Sequence, residues 1–228
     1  MANKRRKPVE SSKKLPSHLE VLTSEAKKVI SDLAQVLPPN FYMAGGTSLA
    51  LQIGHRISID FDFFTKEAFK EASRIQLLNK LKHLGSFEIV ENKEGTLHVR
   101  LEGVLLSFFY YPYKLLKPTI TWHKISLACI EDIAPMKLNA IIGRGSKKDF
   151  IDLFIISKKL SLKKIFDLSI KKFPNYPSFH LQAARALVFF KDAEREPMPK
   201  ILIKIDWEEI KKYFETETKK TLQKILQK

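Results

Sequence analysis

The chain has 228 residues, 44% of them hydrophobic, enough to bury one sizeable core or two small lobes sharing it. A single cysteine, Cys129, excludes an intramolecular disulfide framework and suits a reducing cytoplasm, and no stretch reaches the roughly eighteen apolar residues a membrane span needs. A formal charge of +15 draws polyanions and points to an RNA or DNA partner, although solvated lysine-rich helix faces account for the same excess.

Residues 1–16 hold six Lys or Arg among Pro and Ser, without an apolar period, and no apolar run follows them. A mobile basic tail is therefore expected, and a secretory signal is not. Order begins with a helix over 19–36, where Val21, Leu22, Ala26, Val29, Ile30 and Leu33 recur at helical spacing. Pro38-Pro39 stops it and hands the chain to a strand, Phe41 to Ala44. A Gly45-Gly46 turn follows, then a short helix beginning near Thr47, a loop carrying His55 and Arg56, and a second strand from Ser58 to Phe64.

That second strand holds the first chemical signal. Asp60 and Asp62 are two residues apart, so the strand period projects both carboxylates from one face and Phe61 and Phe63 from the other. Carboxylates held side by side repel and raise the pKa of at least one partner, so a cation between them is favourable. Oxygen-only ligands favour Mg2+, whose shell is completed by water and substrate phosphates. The glycine pair lets the backbone approach such phosphates, with the amides of the next helix, Thr47 and Ser48 beside them. A triphosphate fits this pattern. Arg56 reaches toward a phosphate with permanent charge, whereas His55 is equally well explained as a loop residue bonding backbone.

Lys66 to Leu84 reads as an amphipathic helix ended by Gly85, followed by strands at Phe87 to Glu91 and Thr96 to Tyr111, the latter broken by a turn at Glu102-Gly103. The aromatic run Phe108 to Tyr111 fits a buried sheet edge better than a base-stacking platform. Residues 127–157 divide into a helix from Ile130 to Ile142, a loop from Gly143 to Ser146 and a helix from Lys147 to Ser157, with Ser146 as N-cap and Asp149 complementing the macrodipole. Asp149 and Asp152, three apart, share a helix face, and Lys137 stands on the preceding helix. The remainder is basic and helical, over 162–173, 178–190 and 207–227, with Pro174, Pro177, Pro197 and Pro199 between. The pairs Lys158-Lys159, Lys163-Lys164 and Lys171-Lys172 form either a ridge for a phosphate backbone or the wet sides of these helices.

An apolar strand, Gly-Gly, thirteen residues and then D-apolar-D-apolar resembles the signature of the nucleotidyltransferase superfamily. The wording GGTSLAL, GHR and SIDFDFF resembles more narrowly the AbiEii-like, also MenT-like, nucleotidyltransferases, and Lys137, Arg144, Lys148, Asp149 and Asp152 resemble that family's second motif. The resemblance implies an α/β fold with a mixed sheet flanked by helices. It spans about residues 40–157, and the chain is expected to divide into the basic tail at 1–16, a nucleotidyltransferase lobe at 17–125 and a helical lobe at 126–228 that completes the active-site cleft. The resemblance implies Mg2+-dependent transfer of a nucleoside monophosphate from a triphosphate to a hydroxyl, with a tRNA 3′ end as candidate acceptor and an antitoxin protein as partner. Lys137 would contact phosphates; Asp149 or Asp152 would orient that lysine, bind a second metal or accept a proton; Arg144 and Lys148 would be further phosphate contacts. Many relatives carry a third carboxylate on the strand facing the acid pair. Residues 104–113, VLLSFFYYPY, contain no acid, and Ser107 takes the equivalent place. A catalytically weak protein that binds nucleic acid is the alternative.

Overall fold

The computed structural model describes residues 18–227, so the basic segment at 1–16 lies outside the described residues. Helix α1 (Ser24–Val36) begins at Thr23, whose hydroxyl accepts the Ala26 amide at 3.2 Å and replaces a missing helical partner. Strand β1 (Tyr42–Ala44) leads without an intervening turn into α2 (Gly45–Ile53), so the glycine pair forms the first turn of the helix itself. Strand β2 (Phe61–Thr65) starts one residue after Asp60. After α3 (Glu71–Leu81) come β3 (Phe87–Lys93), β4 (Thr96–Leu101) and β5 (Val104–Tyr110), and the expected Glu102-Gly103 turn joins the last two.

No turn signal in the sequence marks the next hairpin, β6 (Ile120–Trp122) and β7 (Ile125–Leu127). Its tip is His123 and Lys124, both at positive φ (44° and 67°), where hairpins usually place Asn or Gly. Helices α4 (Ile130–Arg144), α5 (Lys147–Ser157), α6 (Leu162–Lys172), α7 (Phe179–Leu187), α8 (Lys191–Glu194) and α9 (Trp207–Leu226) complete the chain.

The fold is α/β: one seven-stranded mixed sheet of order β3-β4-β5-β2-β1-β7-β6, flanked by helices on both faces. Antiparallel β1–β2 pairing lies between two parallel pairings, β2–β5 and β1–β7. Strand alternation sorts the side chains. Phe41, Met43, Phe61, Phe63, Leu97, Val99, Leu106 and Phe108 pack on α1 and α3, whereas Tyr42 and Ala44 face the core built by α4 to α9. Burying large aromatic side chains is worth on the order of 2 kcal/mol apiece, so this alternation fixes which face of β2 is left for Asp62. The helices cover the front of the sheet near β1, and the front of β2, β5 and β4 lines a cavity. No described helix is long and apolar enough to cross a membrane.

Two expectations for the basic half are corrected. Lys172 belongs to no surface ridge: its ammonium is buried and pairs with buried Asp132 at 2.6 Å, because Asp132 must be neutralised where it accepts the Leu116 and Lys117 amides. Ser146 does not cap α5 with its own side chain. Glu196 does so instead, accepting from the Lys147 amide at 2.9 Å and from Ser146 Oγ at 2.7 Å.

Candidate active site

A cavity of about 590 Å3 lies between the front of the sheet and α4 and α5, within the roughly 300–1,000 Å3 usual for small-ligand sites. Gly45, Gly46, Thr47, Arg56, Asp60, Asp62, Ser107, Lys137, Arg144, Lys148 and Asp149 all line it. Residues as far apart in sequence as Gly45 and Asp149 are thus brought onto one surface. Phe64, Phe109 and Tyr111 form an aromatic wall of the same cavity, while Phe108 points into the opposite core.

Local geometry explains the glycines. Gly45 has φ +75°, and a Cβ there would stand 2.5 Å from Asp62 Oδ2; a Cβ on Gly46 would collide with the Arg56 guanidinium. The pair therefore makes room for protein side chains as well as exposing backbone. Thr47 donates its hydroxyl to the Asp60 carbonyl and meets Ser58 Oγ at 2.7 Å, which ties the first turn of α2 to the loop entering β2. Ser48 is turned away: it is fully buried, and its hydroxyl accepts from Gln52 Nε2 at 3.3 Å. Position 48 falls on the core side of the helix, so the Ser48 hydroxyl does not line the cavity.

Asp62 and the Asp149–Asp152 pair are in opposite electrostatic states. Burial above all, reinforced by the charge of Asp60, pushes the Asp62 carboxyl above the ordinary carboxylate range, against the more distant pull of Lys137, Arg144 and Lys148. Asp149 and Asp152 are pulled below that range although burial alone would raise them. Lys137 is the largest opposing influence on each, joined by Arg144 at Asp149 and by Arg56 at Asp152. Lys137 Nζ lies 2.9 Å from Asp149 Oδ1 and 2.6 Å from Asp152 Oδ2, and these carboxylates overcome the effect of burial to keep the ammonium charged.

Asp152 has no surface on the cavity. Its oxygens accept Arg56 Nε at 2.7 Å, Arg56 Nη2 at 2.9 Å and His55 Nε2 at 2.8 Å. Of the roles open to it in the sequence, orienting Lys137 and Arg56 is the one this burial allows. Arg144 makes the matching fork to Asp149, 2.7 and 3.0 Å. His55 is wholly buried and bonds Asp152 rather than backbone, and burial pushes its pKa down. The loop holding it pairs with a distant segment, Leu202 N to His55 O at 2.9 Å and Ile57 N to Lys200 O at 2.9 Å, a contact without a sequence signal.

His98, absent from the sequence expectations, also lines the cavity, with its Nδ1 2.9 Å from Ser107 Oγ. Its signal was present: the two-residue turn at Glu102-Gly103 sets Leu101 opposite Val104, and hence His98 opposite Ser107.

The sequence profile of the nucleotidyl transferase AbiEii toxin family, type IV toxin–antitoxin system, matches residues 30–228. The chain belongs to the AbiEii family of nucleotidyltransferases. An uncharacterized protein of Aquifex aeolicus (strain VF5) is 37% identical over 190 residues, covering 81% of this AbiEii-family chain and 89% of the relative. The fold is similar to JHP933 from Helicobacter pylori, at TM-score 0.54 and 16% identity over 90% of this chain and 95% of that one. It is also similar to the antibiotic-resistance factor ANT(2'')-Ia, at TM-score 0.51 and 13% identity over 74% and 99%. At these identities the likeness concerns the fold alone.

Proposed function

We propose that this AbiEii-family chain transfers a nucleoside monophosphate from a nucleoside triphosphate to an acceptor hydroxyl, with release of pyrophosphate. The observation that carries the reading is the meeting of Asp60 and Asp62 with the N-terminus of α2 and the Lys137, Arg144 and Lys148 cations around one cavity. Free first-turn amides of a helix and fixed cations suit a polyphosphate.

Mg2+ fits the acid pair. Two carboxylates are held near each other there, and the charged form of Asp62 is disfavoured. This suits a cation that takes one or two carboxylates and fills its shell with water and phosphate oxygens. Bound there, it would neutralise charge on the reacting phosphates.

The protein's own groups do the rest. Lys137, fixed by two carboxylates, supplies positive charge where negative charge develops on pyrophosphate, and Arg144 and Lys148 extend it toward the cavity mouth. Arg56 spends three donor atoms on Asp152 and the Ile57 carbonyl, so it serves chiefly to hold the loop and secondarily to offer its remaining N–H groups. Phe109 and Tyr111 offer a wall for a base. The net charge of +15 supports an RNA acceptor such as tRNA, and the family's description supports a toxin restrained by an antitoxin partner.

The test is incubation of the protein with Mg2+, each α-labelled triphosphate in turn and bulk tRNA. Label transfer is expected with the wild type, and Asp60→Ala or Asp62→Ala should reduce it roughly 10³-fold or more, the worth of several kcal/mol of lost charge stabilisation. The absence of an acid at Ser107, directly opposite Asp62 in the sheet, favours a second reading, a non-catalytic nucleic-acid binder. RNA binding unchanged by Asp62→Ala, with no transfer by the wild type, would select it.

A further inference from the structure

Transfer to a hydroxyl, the reading on which this inference rests, must dispose of a proton. The cavity's acids are poorly placed to take it. Asp149 is engaged by Lys137 and Arg144, and Asp60 and Asp62 are the pair suited to a cation. The one imidazole lining the cavity among the described residues is His98.

His98 belongs to a row that crosses the sheet. Glu91 on β3 lies opposite His98 on β4, His98 opposite Ser107 on β5, and Ser107 opposite Asp62 on β2. Opposed side chains on one face of antiparallel strands are within reach of each other, and Glu91, His98 and Ser107 touch. Ser107 Oγ lies 2.9 Å from His98 Nδ1, and His98 Nε2 faces Glu91 Oε2 at 3.4 Å. Glu91 is itself steadied by Lys93 Nζ at 2.7 Å, and the Phe109 ring packs edge-on against the imidazole with centroids 5.2 Å apart. A carboxylate beside Nε2 favours the tautomer with its proton there, which leaves the Nδ1 lone pair to accept the Ser107 hydroxyl.

We propose that Ser107, backed by His98 and Glu91, is the proton acceptor of the transfer. As the acceptor oxygen bonds to the α-phosphorus, its proton passes to Ser107 Oγ and the serine's own proton passes to His98 Nδ1. The phosphorus–oxygen bond to pyrophosphate breaks, and pyrophosphate leaves with the electron pair. The imidazolium so formed is paired with Glu91. In this relay Ser107 is the catalytic residue, because it takes the proton from the acceptor hydroxyl; His98 and Glu91 are positioning residues that act through it.

The test uses the full chain, Mg2+, each α-labelled triphosphate and bulk tRNA. His98→Ala should lower kcat by roughly 10²–10⁴-fold, the usual worth of a general base, with the KM for triphosphate nearly unchanged, and added imidazole should restore part of the rate. Ser107→Asp places a carboxylate where the proton departs, so the double variant Ser107→Asp/His98→Ala should be faster than His98→Ala alone. Nitrogen NMR of the metal-free wild type should find the His98 proton on Nε2, and Glu91→Gln should weaken that preference. Transfer by His98→Ala at the wild-type rate overturns the relay and leaves the reading of the site intact; so does a proton resident on Nδ1. Failure of the wild type to label tRNA with any triphosphate overturns the site reading and the relay together. Should His98→Ala not fold, the tautomer and the kcat of Ser107→Ala decide.

Discussion

The chain holds two pairs of aspartates: Asp60, Asp62 and Asp149 line one cavity, and Asp152 is buried without a surface on it. Asp149 and Asp152 sit on a helix among Lys137, Arg144 and Arg56, so two carboxylates meet three permanent cations and are held ionised by them. Asp62, on a strand, feels Lys137 and Arg144 too weakly to offset its burial, and its carboxyl is pushed above the ordinary carboxylate range. The difference separates two uses of one residue type: a pair neutralised within the protein builds the scaffold, and an acid left under-neutralised is free to hold something that is not protein.

The largest break in that contrast should come from Asp152→Ala. It leaves buried Arg56 and Lys137 short of a counter-charge, and breaking such a pair costs about 3–5 kcal/mol. A fall in Tm on the order of 10 °C, measured by calorimetry, is expected for a chain of this size. Gly45→Ala should cost about 1–3 kcal/mol through its left-handed backbone, and it should impair Mg2+ binding by displacing the Asp62 carboxylate. Arg144→Ala removes a fork to Asp149 but from a half-exposed side chain, with Lys137 still in place, so about 1–2 kcal/mol of urea stability should be lost.

Asp62→Asn should have the smallest effect and the opposite sign. At neutral pH and without Mg2+ it should slightly stabilise the protein, because a disfavoured charge is removed. Mg2+ should then raise the Tm of the wild type but not of this variant. The pH dependence sharpens the comparison further. Asp149 and Asp152, lowered on folding, add stability above the unfolded carboxyl value of about 3.9 that is lost as pH falls through their depressed values. Asp62, raised on folding, contributes stability below about 3.9 that is lost as pH rises through its folded value. Stability curves of Asp152→Ala and Asp62→Asn should therefore diverge from the wild type in opposite directions on passing from acid to neutral pH.

The local periods of the sequence determined most of the secondary structure and which way Asp62, Ser107 and His98 face. The alternation of Phe61 and Phe63 with Asp62 places that acid on the open face, and the Glu102-Gly103 turn sets His98 beside Ser107. These are short-range consequences of strand geometry, and composition alone adds the basic charge. Only the tertiary structure decided that Asp152 is hidden behind Arg56 and His55, that Lys172 is buried on Asp132, and that Glu196 caps α5. Each of these is an electrostatic pairing between segments 40 or more residues apart, and no periodicity encodes which distant charge will neutralise a buried one. The division of the acids into a paired set and an available set therefore belongs to the folded molecule, because burial and partner choice, rather than residue type, fix where a carboxylate keeps its charge.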